Sequence, residues 1–153
     1  MARAGFWSVG GYEISFRRDG HWYADDDLIE NERIAWLFSS HIQSDGDAGW
    51  VVDLGIDRQP VVVEDTPLVV VSITRAADGS FEQRTNDGIT EALDPSTLAV
   101  GDDHVLYCTV DRGPRGTMRA RFLRPAYYAL MEYVELEEER PVLRTPSGTH
   151  VLG

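Results

Sequence analysis

The stretch VVVEDTPLVVV, residues 61 to 71, limits the fold more than any other part of the chain. Val61 and Val63 would point to one face of a strand and Val62 to the other, so both faces are apolar. A strand of that kind is expected to be buried on both sides. Pro67 has no N–H for a sheet ladder, so the chain must turn or reach an edge there. EDTP then reads as a polar bend between two core strands. Glu64 and Asp65 in that bend have two readings. They are hydrated turn residues, or they form a carboxylate site that needs a histidine, further acids or a metal ligand nearby.

Around this stretch the periodicity predicts short strands and two helices. YEISFRRDGHWYAD, 12 to 25, alternates about a DG turn and reads as a hairpin. LIENERIAWLFSSHIQ, 28 to 43, places Ile34, Leu37, Phe38 and His41 or Ile42 on one helical face, with Asn31 as N-cap. WVVDLG and QPVVVED form a second hairpin, and LVVVSITRA a further strand. Residues 76 to 103 are rich in turn signals around short strands such as FEQRT. HVLYCTV and TMRARFL pair across DRGPRG. RPAYYALMEYVELEEE reads as a helix opened by Pro125, with Tyr127, Leu130, Met131 and Val134 on its apolar face. PVLRT and THVL close the chain as a hairpin.

This layout predicts an α+β fold of two tandem hairpin–helix–hairpin units, with largely antiparallel sheets packed on two helices. Within one compact domain, residues 1–11 are expected to be a flexible N-terminus. Residues 12–75 form a first lobe, 76–103 a turn-rich connection, and 104–153 a second lobe. Offset by 93, Ile34, Leu37 and Phe38 align with Tyr127, Leu130 and Met131. Two such units could bury their apolar faces against each other.

Charge narrows the function. The formal net charge of −12 over 153 residues repels phosphate backbones and anionic membrane surfaces, so neither nucleic acid nor membrane is expected as a partner. All 14 basic residues are arginine, which removes a P-loop or Schiff-base lysine. No apolar run reaches the ~20 residues of a membrane span, and the N-terminus lacks a secretory h-region. A cytoplasmic location is expected. Cys108 stands alone in an alternating strand and reads as a buried structural thiol.

Most candidate motifs are weak. Counted from Asp45 as a calcium loop, position 6 is Trp50 and position 12 is Ile56, so the pattern fails. GDDH offers Asp102, Asp103 and His104, yet the four histidines are scattered and none has i, i+4 spacing. No metal, cofactor or catalytic residue is assigned. DRGPRGTMRARFLR holds five arginines: Arg112, Arg115, Arg119, Arg121 and Arg124. In a strand Arg119 and Arg121 share a face, while Met118, Ala120 and Phe122 turn to the core. Two adjacent guanidiniums can grip a carboxylate or phosphate. Alternatively, Glu132, Glu135 and Glu137 to Glu139 consume them. Tyr128 could carry its hydroxyl to a cleft. The four tryptophans are many for this length, and Trp36 lies off the main apolar stripe of its helix.

DGHWYADDDLI, ERIAWLFSSHI, VVVEDTPLVVV and ARFLRPAYYAL, in that order, resemble the bacterial DUF1285 family over about residues 12 to 135. Its pattern is a DG-x-W hairpin, a helix with an LF pair, a VEDAPF-like bend and an RPVYYEL-like helix. Here Leu68 stands where the family has an aromatic, and GIDRQP where a TPVEK-like segment is expected. The UPF0598 (DUF4505) group, with a DRPVVF-like bend, is a second resemblance. The DUF1285 likeness implies an α+β fold of repeated β/α units and no established reaction, with regulation or signalling as its direction. The expectation is a non-enzymatic regulatory, ligand-sensing or protein-interaction module that pairs as a homodimer. Arg119, Arg121, Arg124 and Tyr128 would meet an anionic small molecule or acidic protein partner, with Glu64 and Asp65 as a second site. A small hydrolase built on Glu64 or Asp65, and a structural subunit of an assembly, are the alternatives.

Overall fold

The computed structural model describes residues 11–46 and 49–153. The expected N-terminal tail through residue 10, with Trp7, and Asp47 of the SDGDAG loop lie outside the described residues. Strands β1 (Ile14–Phe16), β2 (Trp22–Ala24) and β3 (Asp27–Leu28) form an antiparallel meander. Helix α1 (Glu32–His41) follows. A second meander comprises β4 (Ile42–Ser44), β5 (Trp50–Asp53) and β6 (Arg58–Val63). Strand β6 returns parallel to β1, with Ile14 beside Val61, and completes a six-stranded sheet ordered β3-β2-β1-β6-β5-β4.

The same construction recurs. Strands β7 (Leu68–Arg75), β8 (Phe81–Thr85) and β9 (Thr90–Ala92) form one meander, and β10 (Ala99–Val100), β11 (Leu106–Asp111) and β12 (Thr117–Phe122) another. Strand β12 lies parallel to β7, with Ala120 beside Leu68, in a sheet ordered β10-β11-β12-β7-β8-β9. Helix α2 (Arg124–Met131) then leads into a three-stranded sheet of β13 (Val134–Glu137), β14 (Arg140–Thr145) and β15 (Gly148–Val151).

The α+β class holds, but the strands do not group as two hairpin–helix–hairpin lobes. The likeness within the chain is between the two six-stranded sheets, each a pair of meanders sealed by one parallel pair. Residues 76–103 therefore contribute β8, β9 and β10 to the second sheet. The change of sheet falls at the 64–67 bend. Helix α1 is threaded between the meanders of the first sheet, whereas α2 follows the second. Helical spacing aligned the two helices; only the long-range parallel pairing shows that they stand at different places in the repeat.

Local chemistry accounts for the elements. Gly20 takes φ +85° in the first hairpin turn, where its N–H reaches the Arg17 carbonyl. The Asn31 side chain accepts from the N–H groups of Arg33 and Ile34, as an N-cap must. The rings of Phe16, Trp22 and Phe38 stack edge to face or tilted, with centroids 4.9 and 5.1 Å apart, in one core shared by both large sheets.

Two expectations are corrected. Strand β7 is buried on both faces, with Leu68, Val69 and Val70 at 0–1% exposure, but Val62 on β6 is half exposed. Both strands are central in their sheets, but β7 has α2 packed on it, whereas β6 buries Val61 and turns Val62 outward. Secondly, α2 stops at Met131. Val134–Glu137 is a strand, because Val134 and Leu136 pair with Leu143 and Pro141 of β14. Glutamate is a good helix former, but helix propensity is a small term that strand pairing overrides.

Candidate functional site

The 64–67 bend is held on both sides. Thr66 is buried; its hydroxyl donates to the Leu68 carbonyl at 2.6 Å and accepts from the Arg121 N–H at 3.1 Å. Glu64 turns outward and accepts from the Arg18 N–H at 2.8 Å. Asp65 turns the other way, toward β12. Its carboxylate accepts from the Arg121 guanidinium at 2.8 Å and from the Tyr107 hydroxyl at 2.9 Å. Tyr107 and Arg121 are cross-strand partners on β11 and β12, which brings both groups to one carboxylate. Burial, then the hydrogen bond to Asp65, raises the Tyr107 phenol above its ordinary pKa. The bend is thus not a free hydrated turn: Asp65 holds the end of Arg121.

Arg121 faces a cleft of about 340 Å³ that it lines together with Arg124, Tyr128, Tyr127, His104 and Asp103. Strand β12 brings Arg121 to the cleft. The first turn of α2 brings Arg124, and the next turn Tyr127 and Tyr128. Tyr128 is 62% exposed and rests edge-on against Tyr127. Arg124 makes no ion pair among the described residues. Asp103 and His104 form a tight 3-10 turn at the rim with φ +58° and +60°. Glu138 and Glu139 take the same left-handed backbone in the β13–β14 turn, as tight hairpin connections require.

The sequence candidates therefore separate. Arg121, Arg124 and Tyr128 meet at one cleft, with Asp65 behind Arg121. Arg119 shares a strand face with Arg121 but lies over the Tyr107 ring, 4.1 Å from its centroid, and does not line the cleft. Glu64 also lies away from it. The downstream acids do not consume the arginines of β12: Glu135 and Glu137 pair with Arg144 instead. Nothing in the sequence distinguishes Tyr107, because an alternating strand marks it only as a core position. In the sequence, GDDH presents His104 and Asp103 only as metal ligands. Among the described residues no group of three or more His, Cys, Asp or Glu could hold a metal ion. No hydrogen bond or ion pair joins a histidine to Glu64 or Asp65 among the described residues; their partners are Arg18, Tyr107 and Arg121.

A second charged cluster is buried and ties the sheets together. Asp87 accepts from Arg112 Nε at 2.8 Å and from the Thr85 hydroxyl at 2.5 Å, with Arg115 Nη1 at 3.4 Å. Glu91 lies 2.7 Å from Arg112 Nη1. Arg115 also donates to the carbonyls of Ser39 and Ile42, at the end of α1. The Ser39 hydroxyl receives Trp22 Nε1 and Asn86 Nδ2. Of the two arginines of DRGPRG, Arg115 fastens the end of α1 to Asp87 in the β8–β9 turn, while Arg112 binds Thr85, Asp87 and Glu91 and holds that turn within the second sheet. Their ligands are all internal, which marks them as structural.

No protein-family model matches the chain, and no curated protein matches it. Two solved structures share its fold. A DUF1285 family protein from Silicibacter pomeroyi DSS-3 superposes with a TM-score of 0.73 at 21% identity, over 92% of this chain and 79% of that one. A DUF1285 family protein from Shewanella baltica OS155 gives 0.63 at 23% identity, over 79% of this chain and 91% of that one. The architecture agrees with the motif resemblance; at this identity the likeness extends to fold and carries no activity.

Proposed function

We propose that this chain, built on the fold of DUF1285 family proteins, is a non-enzymatic ligand-sensing module that binds an anion between Arg121, Arg124 and Tyr128. The observation that carries the reading is the convergence of these side chains on one cleft of about 340 Å³, within the ordinary range for small-ligand pockets. Arg121 is already oriented by Asp65, so little conformational freedom is left to lose on binding. Arg124 has no internal counterion among the described residues, so a ligand carboxylate or phosphate would supply one. Tyr128 adds a hydroxyl donor at the edge. The same reading takes the module to be cytoplasmic and to pair as a homodimer through exposed apolar side chains such as Trp36. No helix is long and apolar enough to cross a membrane among the described residues.

A thermal-shift titration at fixed ionic strength with small carboxylates and phosphates tests the proposal. A ligand at about 100 times its Kd adds roughly 2.7 kcal/mol to stability. The shift should vanish in Arg124→Ala and survive in Arg119→Ala, whose side chain lies outside the cleft. A panel with no shift, or a shift indifferent to Arg124→Ala, overturns the reading.

A further inference from the structure

The anion cleft does not end at Tyr127. A second cavity of about 350 Å³ shares His104, Leu106 and Tyr127 with it and continues over Val100, Met131, Pro141 and Leu152. The two halves differ in chemistry. The first carries both cationic side chains. The second is walled by aliphatic and aromatic groups, with His104 at the junction. Arg124, Tyr127 and Met131 stand at i, i+3 and i+7 on and around one face of α2, so the floor changes from cationic to apolar along the helix. At 1.5 Å per residue that run is about 10 Å long. An isolated apolar groove would accept many partners; one that begins at a pair of arginines selects a molecule with a charged head and an apolar tail.

We propose that the ligand is an amphiphilic anion, an acyl carboxylate whose head pairs with Arg121 and Arg124 and whose alkyl chain lies past Tyr127 onto Met131 and Leu152. The assignment rests on the anion-binding reading above and adds the tail. Burial of each methylene contributes about 0.8 kcal/mol, which is roughly a fourfold gain in affinity per methylene. From butanoate to octanoate the gain compounds over four methylenes until the chain reaches the end of the cavity. An inorganic anion gains nothing from the second cavity.

The test is an NMR titration of the whole protein with butanoate, hexanoate and octanoate at constant salt, with inorganic phosphate as the tail-less anion. Octanoate should bind at least tenfold more tightly than butanoate, and chemical-shift changes should spread from Arg124 to Met131. Val100→Glu introduces a charge at a partly exposed edge position of the second cavity. It should abolish the chain-length gain, so that octanoate binds no more tightly than butanoate. Equal affinity for butanoate and octanoate, with both lost in Arg124→Ala, overturns the tail assignment and leaves the anion site standing. No binding by any of the four probes removes both proposals. Octanoate binding that persists in both variants places the acyl site elsewhere and overturns this one.

Discussion

Asp87→Asn should destabilise the protein by about 3 kcal/mol, and the structure gives the reasons for that size. The Asp87 side chain has no exposure, and the Arg112 side chain is 4% exposed. Removing one partner of a buried pair typically costs 3–5 kcal/mol, because the other charge stays desolvated without compensation. Two features place this case at the low end. Arg112 keeps Glu91 at 2.7 Å, and Arg115 keeps the carbonyls of Ser39 and Ile42. For a chain of this size the expected fall in Tm is roughly 6–12 °C. Urea unfolding at pH 7, followed by circular dichroism, measures the loss; the midpoint should fall with an unchanged m-value. Arg112→Met added to Asp87→Asn should recover part of the loss, since the double variant buries one charge fewer. The pH dependence has a definite sign. Burial opposes ionisation of Asp87 most strongly, but the hydrogen bonds from Arg112 and Thr85 and the charges of Arg112 and Arg115 outweigh it and hold the carboxyl below its usual range. A depressed folded-state pKa contributes stability that is present above the unfolded value of about 3.9 and lost as pH falls through the folded value. The native protein should lose this contribution on acidification below about pH 4, and the Asn variant should show a shallower decline. A loss under about 1 kcal/mol at pH 7, or strict additivity in the double variant, would refute the account of the cluster as the fastening between the sheets.

Three further outcomes are expected. Burial pushes the Cys108 thiol up to about 12, against a hydrogen bond to Gln83, so iodoacetamide at pH 8 should leave it unmodified until the chain unfolds; rapid labelling of the native protein would contradict its place in the core. Gly101→Ala keeps an allowed backbone, with φ −96°, but its Cβ would stand 2.8 Å from the Tyr107 ring; displacing Tyr107 should disturb Asp65 and Arg121, cost about 1–3 kcal/mol, and weaken anion binding beyond the thermal effect, as a binding titration would show. Leu143→Ala empties a fully buried site on β14 and should cost about 2–5 kcal/mol in urea unfolding; a cost near zero would mean the three-stranded sheet is not docked on the core.

Much of the local structure is legible in the residue order. The first hairpin follows from alternation around DG. The start of α1 follows from Asn31, the β11–β12 hairpin from two alternating runs around DRGPRG, and the inward Met118, Ala120 and Phe122 from period two. Each depends on neighbours within a few residues, where propensity and side-chain period act directly. The arginine-rich segment is conspicuous in a chain this acidic, but which of its arginines line a cleft is set by the tertiary structure: Arg121 and Arg124 do and Arg119 does not.

The sequence by itself determined the strands of the first hairpin and of β11–β12, which face of β12 is polar and where α1 begins. Tertiary structure decided how those pieces combine. Whether Val62 is buried depends on what covers its sheet. Whether VELE is helix or strand depends on β14. Whether Asp65 is a hydrated turn acid or the holder of Arg121 depends on a hydrogen bond 56 residues away in the chain. The parallel pairs β1–β6 and β7–β12 bring together residues far apart in sequence, and no local periodicity encodes which strands will meet. The physical reason is that a strand has two edges of nearly equivalent hydrogen-bonding groups, and only the summed burial of the whole chain chooses its neighbours.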